Sequence, residues 1–226
     1  RVMRVWSAGV CAAHLVDTPR YLKNEKPAES MAESIKKGSQ SNNGEAPVDK
    51  QDLSFLIFAG YDADNLYVAV RVQDDILSED SAEAGSKNGN TWHDDSVEVF
   101  IDGDNSNFPT RSGNDPNVID TGGQFVITVN NAYRENEAGN PGYGEGEAWF
   151  ALTSVTDTGY DAEFRISLDT IGNPKPGDVI GFTVAINEDD DDGPRDKQIV
   201  WVGNAHTRSE ERRVGKECRS RWSPYH

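Results

Sequence analysis

Cysteine, histidine, positive charge and long apolar runs are all scarce in this chain, and each scarcity removes a class of function. Two cysteines in 226 residues, Cys11 and Cys218, allow at most one disulfide. Four histidines are scattered along the chain, with no zinc-ligand spacing and no Ser/His/Asp order. No carboxylate lies in a nucleophile or acid motif of the kind glycoside hydrolysis uses, so intrinsic catalysis is not expected. No apolar run approaches the roughly 20 residues that cross a bilayer as a helix, and no membrane insertion is expected. Only 22 Lys and Arg stand against 39 Asp and Glu, for a formal charge of -17. That charge repels polyphosphate and anionic headgroups, so nucleic acid is not an expected partner. Helical periodicity is nearly absent.

What is present is a series of short alternating segments separated by turns rich in Gly, Asn and Asp. Phe55 to Ala59 leads through Asp62-Ala63-Asp64-Asn65 into Leu66 to Val72, where Leu66, Val68, Val70 and Val72 share a face. Phe125, Ile127 and Val129 repeat that pattern, as do Ala162, Phe164, Ile166 and Leu168. Further strands are expected near 147–155, 179–187 and 198–202, with one helical turn near 169–172. The pattern predicts an all-β fold, a single antiparallel β-sandwich of jelly-roll or immunoglobulin-like type. Trp149 and Trp201 fall within strand patterns and are expected in the core, whereas Tyr133 and Tyr143 fall in Gly/Asn-rich loops.

The run from Trp92 to Asp102 differs from the other strands. Val97, Val99 and Ile101 alternate toward one face, and Ser96, Glu98, Phe100 and Asp102 toward the other. A mid-strand carboxylate is costly to bury unless something pairs with it. Two partners are open to Glu98: a ligand, or a structural bridge to a basic residue such as Arg71. Trp92 is likewise open, as an exposed aromatic platform or as a ring packed under a loop.

The motifs NLYVAVRVQDD, WHDDSVEVFIDGDN, GGQFVITVN, GYDAEFRISLDTIG, GDVIGFTVAINEDDDDGPR and IVW follow one another in an order that resembles family 9 carbohydrate-binding modules and the wider DOMON-like sugar-binding group. The resemblance spans Phe55 to about Trp201. It implies a β-sandwich that binds a glycan or oligosaccharide without catalysis. Such domains are commonly stabilised by calcium and appended to secreted glycan-degrading enzymes, with extracellular, periplasmic or cell-surface placement. The alternative is a calcium-stabilised structural or adhesion sandwich without a sugar site. In the sugar-binding members two tryptophans clamp a glycan end and a glutamate hydrogen-bonds it; Trp92 matches the first tryptophan and Glu98 the glutamate. A ring face covers the apolar C–H face of a pyranose while a carboxylate accepts from adjacent hydroxyls. Gln124 and Thr128, on the polar face of the adjoining strand, complete the candidate set. In that strand Val126 and Thr128 stand where the sugar-binding members carry Arg and Asn, and the second tryptophan is expected beyond Asn204. Haem, bound by some DOMON-type relatives, is not expected, since Met3 and Met31 lie outside the resembling region.

Calcium, if bound, has several candidate loops, because clustered hard oxygen ligands suit that ion. Asp102, Asp104 and Asn105 form one set, Asp190 and Asp192 of the run Asn187 to Gly193 another, and Asp62, Asp64 and Asn65 a third. The 187–193 run is not an EF-hand: with Gly193 as the loop glycine, Ile199 falls where a bidentate Glu is required. Its nearest counter-charges are Arg195 and Lys197. Residues 1–21 are expected to hold a partial N-terminal strand region, 22–51 a polar loop or insertion with a short helix near 28–37, and 52–207 the sandwich, truncated at its C-terminal end. Residues 208–226, RSEERRVGKECRSRWSPYH, resemble the translation of a sequencing adapter and are expected to be non-native. That tail carries six basic and three acidic residues, which leaves the rest of the chain at -20.

Overall fold

The computed structural model describes residues 40–41, 47, 49–87, 89–104, 122–136, 142–175, 178–191, 193–201 and 220–221. The partial N-terminal strand region expected in 1–21, the short helix near 28–37 and nearly all of the 208–226 tail lie outside them. Among the described residues no helix is long and apolar enough to cross a membrane.

Alternation generates two antiparallel sheets. The first is ordered β1 (Gln40–Ser41), β10 (Lys197–Val200), β9 (Val179–Glu188), β4 (Ser96–Asp102), β5 (Gly122–Thr128) and β6 (Tyr133–Asn136). A further short strand, β11 (Ser220–Arg221), pairs with the start of β9 at Ile180 and Val179, whereas β10 pairs with its end. The second sheet is ordered β2 (Leu53–Tyr61), β3 (Asn65–Asp74), β8 (Gly159–Ser167) and β7 (Trp149–Thr156). The expected sandwich is present, and the single helical turn appears as a 3-10 turn at Leu168–Ile171.

The core lies between the sheets. Leu66, Val68, Val70 and Val72 of β3 meet Val97, Val99 and Ile101 of β4, Phe125 and Ile127 of β5, and Ala162, Phe164 and Ile166 of β8. Each buried Val, Leu, Ile or Phe contributes about 1.5–3 kcal/mol relative to exposure. Trp149 is fully buried against Phe125 in an edge-on contact of 5.2 Å, and Trp201 packs on the core beside Phe182. Tyr133 is not in a loop: it opens β6, a strand too short and polar to show alternation in the sequence, and it stacks on Tyr143 at 3.6 Å.

Turn chemistry sets the registers. Asp62 accepts from the backbone N–H groups of Asp64 and Asn65, both at 2.8 Å, and closes the β2–β3 hairpin where the Asp-Ala-Asp-Asn motif predicts it. Gly159 turns β7 into β8 at φ 137, and a Cβ there would fall 2.4 Å from the Val72 carbonyl oxygen.

Replacing Phe125 with Ala empties space against Trp149 and is expected to lower unfolding free energy by about 3–5 kcal/mol in urea titration; a loss under 1 kcal/mol would show that this contact is not central to the core.

Candidate functional site

The outward face of β4 holds the carboxylate that the sequence leaves unexplained. Pairing sets Glu98 between Val126 of β5 and Ala185 of β9, and Ser96 between Thr128 and Asn187. Neither direct neighbour of Glu98 can donate a side-chain hydrogen bond, so its donors come from diagonal positions. Gln124 Nε2 donates to Glu98 Oε2 at 2.6 Å, and Asn187 Nδ2 donates to Glu98 Oε1 at 2.6 Å. The alternative bridge to Arg71 does not form. Arg71 lies on the other sheet, where it pairs with Asp161 at 2.8 Å.

Asn187 is fully buried and joins four groups. Its amide nitrogen also donates to Ser96 Oγ at 2.9 Å, while its oxygen accepts from Arg195 Nη1 at 2.7 Å and Gln198 Nε2 at 2.8 Å. The Arg195 guanidinium lies 5.3 Å from the centre of the Trp92 ring. Burial holds that guanidinium below its ordinary pKa, while the nearby Glu98 charge opposes the shift; it remains a cation at any working pH. Trp92 is 37% exposed, the only large aromatic among the exposed hydrophobic residues described.

Three of the four sequence-derived residues thus converge on one face: Trp92, Glu98 and Gln124. Thr128 does not join them. It is fully buried, and its hydroxyl donates to Asn130 Oδ1 at 2.6 Å and accepts from the Ala132 N–H at 2.8 Å, closing the turn into β6. Asn187, Gln198 and Arg195 are additions. Alternation along β9 places Asn187 beside Ser96, but nothing in the sequence aligns β9 against β4; Arg195 is legible only as a charge near an acidic run.

A second cluster of charge sits at the end of the sandwich where β4 begins and β9 ends. Asp95 is fully buried and accepts from the N–H groups of Ser78 at 2.6 Å and Asp189 at 3.2 Å. Asp74, Glu188 and Asp189 are buried beside it. Lys197 Nζ bonds Glu188 at 2.6 Å, Asp52 at 3.2 Å and Asp190 at 3.3 Å. Asp74 Oδ2, Glu188 Oε2, Asp190 Oδ1 and the hydroxyl of fully buried Tyr160 have no hydrogen-bond partner. Burial, reinforced by the Asp74 charge, raises the Asp95 carboxyl to about 9. Burial raises Asp74 to about 7, and raises Glu188 to about 8 against the pull of Lys197.

Carboxylates come within reach of a shared cation in three groups: Asp74, Asp75 and Asp190; Asp52, Glu188 and Asp190; and Asp189, Asp191 and Asp196. Of the calcium candidates read from sequence, Asp190 belongs to two of these. Asp102 and Asp104 belong to none among the described residues: Asp102 pairs with Gly181 at the start of β9, a strand length of roughly 20 Å from the loop that carries Asp190. Asn105 and Asp192 lie outside the described residues. Asp52, Asp74, Asp75 and Asp196 belong to these groups without being singled out by the sequence, and the burial of Asp74 depends on how the sheets close.

The profile of the family described as carbohydrate family 9 binding domain-like matches residues 32–215. This chain belongs to that family. A family 9 domain binds carbohydrate and performs no catalysis. The endo-1,4-beta-xylanase A of Thermotoga neapolitana is 32% identical over 142 residues, which are 62% of this chain and 12% of that protein. The endo-1,4-beta-xylanase A of Thermotoga maritima is 30% identical over 141 residues, 62% of this chain and 11% of that protein. The family 9 domain thus spans about a tenth of the length of these relatives. Among solved structures, a family 9 module of Caldicellulosiruptor kristjanssonii in complex with cellotriose superposes with a TM-score of 0.54 at 21% identity, covering 74% of this chain and 75% of that one. A family 9 module of the same organism in complex with glucose superposes with a TM-score of 0.53 at 20% identity, covering 81% of this chain and 82% of that one. These likenesses establish the shared fold.

The raised carboxyls set the pH response of the metal-free domain. Each is protonated in both folded and unfolded states well below pH 4; above that the unfolded chain releases protons that the folded chain retains, so stability falls as pH rises. The melting temperature of metal-free protein is expected to drop steadily from pH 5 to pH 9; a rise over that range would contradict the burial of Asp95 and Asp74.

Proposed function

We propose that the face holding Trp92, Glu98 and Gln124 binds the sugar rings of a β-1,4-linked oligosaccharide or polysaccharide, and that the domain holds an attached secreted or surface carbohydrate-active enzyme on that substrate. One observation carries the reading: a buried carboxylate, clamped by two amides, lies on the same face as a half-exposed indole. Each Glu98 oxygen uses one acceptor position on an amide and retains another, so two adjacent sugar hydroxyls have a pre-oriented acceptor. A charge-assisted bond of this kind contributes roughly 1.5–3 kcal/mol. The xylanase relatives and the cellotriose-bound structure support the β-1,4 class. Tethering raises the local concentration of substrate and leaves bond cleavage to the partner. We place the domain within the wider DOMON-like sugar-binding group and take the segment 208–226 as an adapter-like addition.

We further propose that calcium neutralises the buried cluster. The donor set fits: the ligand oxygens of Asp74, Asp75 and Asp190 lie within 4.8 Å of one another, all are hard donors, and buried oxygens of Asp74 and Asp190 have no donor. A bound divalent cation supplies the counter-charge those carboxylates lack. Lys197 already supplies one to Glu188, Asp52 and Asp190.

Titration calorimetry with cellotriose is expected to show binding that Trp92→Ala or Glu98→Gln weakens at least about tenfold, with melting temperatures near the parent's. Absence of binding to cellotriose, xylotriose and a wider glycan panel would defeat the sugar-face assignment. Chelation of calcium at neutral pH is expected to lower the melting temperature by several degrees, with recovery on adding calcium and a much smaller response in Asp190→Asn; an unchanged melting curve at low free calcium would remove the ion from the account.

A further inference from the structure

We propose that Arg195 is the positioning residue of the sugar face, fixing the aromatic platform and the acceptor carboxylate together from the β9–β10 connection. The inference rests on the reading that this face binds glycan. Arg195 is surrounded in sequence by Asp189, Asp190, Asp191 and Asp196, yet its guanidinium turns toward the Trp92 ring at 5.3 Å and the Asn187 oxygen at 2.7 Å. Lys197, two residues on, serves the acidic cluster instead.

Each contact has a separate consequence. Trp92 precedes β4 on a connecting segment, and an exposed loop indole samples several rotamers that a ligand must otherwise freeze. A planar cation over the ring limits those rotamers, together with the His93 ring that meets the indole edge-on at 3.8 Å, and leaves the indole 37% exposed. The second contact controls an amide. Asn187 can accept two hydrogen bonds at its oxygen and donate two from its nitrogen, and all four are made. Arg195 and Gln198 both demand an acceptor, which forces the NH2 toward Ser96 and Glu98. Without Arg195, one of the two donors that oppose an amide flip is gone. A flipped Asn187 would set an oxygen against the Glu98 carboxylate and disturb the acceptor that the sugar meets. A lysine cannot replace either role, being a point charge with no plane to stack.

Arg195→Met and Arg195→Lys, each compared with the parent, decide the matter. Calorimetry with cellotriose is expected to show about tenfold or greater loss of affinity for Arg195→Met, and a Lys variant that recovers no more than about threefold of it, while both melt within a few degrees of the parent. Independently of any sugar, nitrogen relaxation of the Trp92 indole N–H, identified by its loss in Trp92→Ala, is expected to report an ordered ring in the parent and fast motion in Arg195→Met. Parent-like affinity in Arg195→Met, full recovery by Lys, or an indole equally rigid without Arg195 would overturn the proposal. Failure of the parent to bind any oligosaccharide would instead reject the glycan reading, and the indole measurement would still decide whether Arg195 positions the ring.

Discussion

A carboxylate removed from water must find donors or a cation, and most of the distinctive features of this domain answer that demand. Glu98 meets it with two amides, Asp95 with two backbone N–H groups, and Glu188 with the Lys197 ammonium. The hydrophobic core between the sheets is ordinary for a sandwich. The acidic residues at the β4–β9 end are not, since burying unpaired charge costs several kcal/mol per ion after relaxation. Where protein donors suffice, the result is a pre-oriented acceptor. Where they do not, as at Asp74 and Asp190, a carboxylate oxygen is left buried without a donor.

The β9–β10 connection takes part in both outcomes. Asp189 bonds Ser78 and its N–H bonds Asp95, Asp190 faces Lys197, and Arg195 reaches the opposite way to Asn187 and Trp92. A single acidic loop thereby divides its charged side chains between a buried acidic cluster and the face proposed to bind sugar. The two functions are chemically distinct but share one segment of backbone.

The fold was largely legible in the sequence because strand alternation and turn chemistry are local. Val68 and Val70 point inward whatever lies across from them, and Asp62 closes its own hairpin. The site was legible only where one strand displays it. Glu98 and Gln124 stand on adjoining strands and Trp92 on the segment that leads into β4, whereas Asn187 and Arg195 arrive from β9 and its following loop, and sequence spacing does not say which strand lies beside β4. Thr128 illustrates the opposite limit: alternation places it on the correct face, but the backbone turns just after it and consumes its hydroxyl. Asp102 and Asp104 had suitable chemistry, yet they close the far end of β4 from the buried cluster. Burial, which makes Asp74 and Asp95 unusual, is a property of two sheets meeting and has no signature in either segment alone.

The order of the strands also governs when the Glu98 face can be complete. β4 and β5 are consecutive in the chain, so Glu98 can meet Gln124 early, 26 residues apart. Its second donor, Asn187, is 89 residues away and comes only when β9 docks on the opposite edge of β4. Closing so long a loop is slow compared with local pairing. Until β9 docks, the carboxylate lacks one of its two amides and the sheet edge beside it is open, so the face proposed to meet a ligand is complete only when the non-local pairing is made.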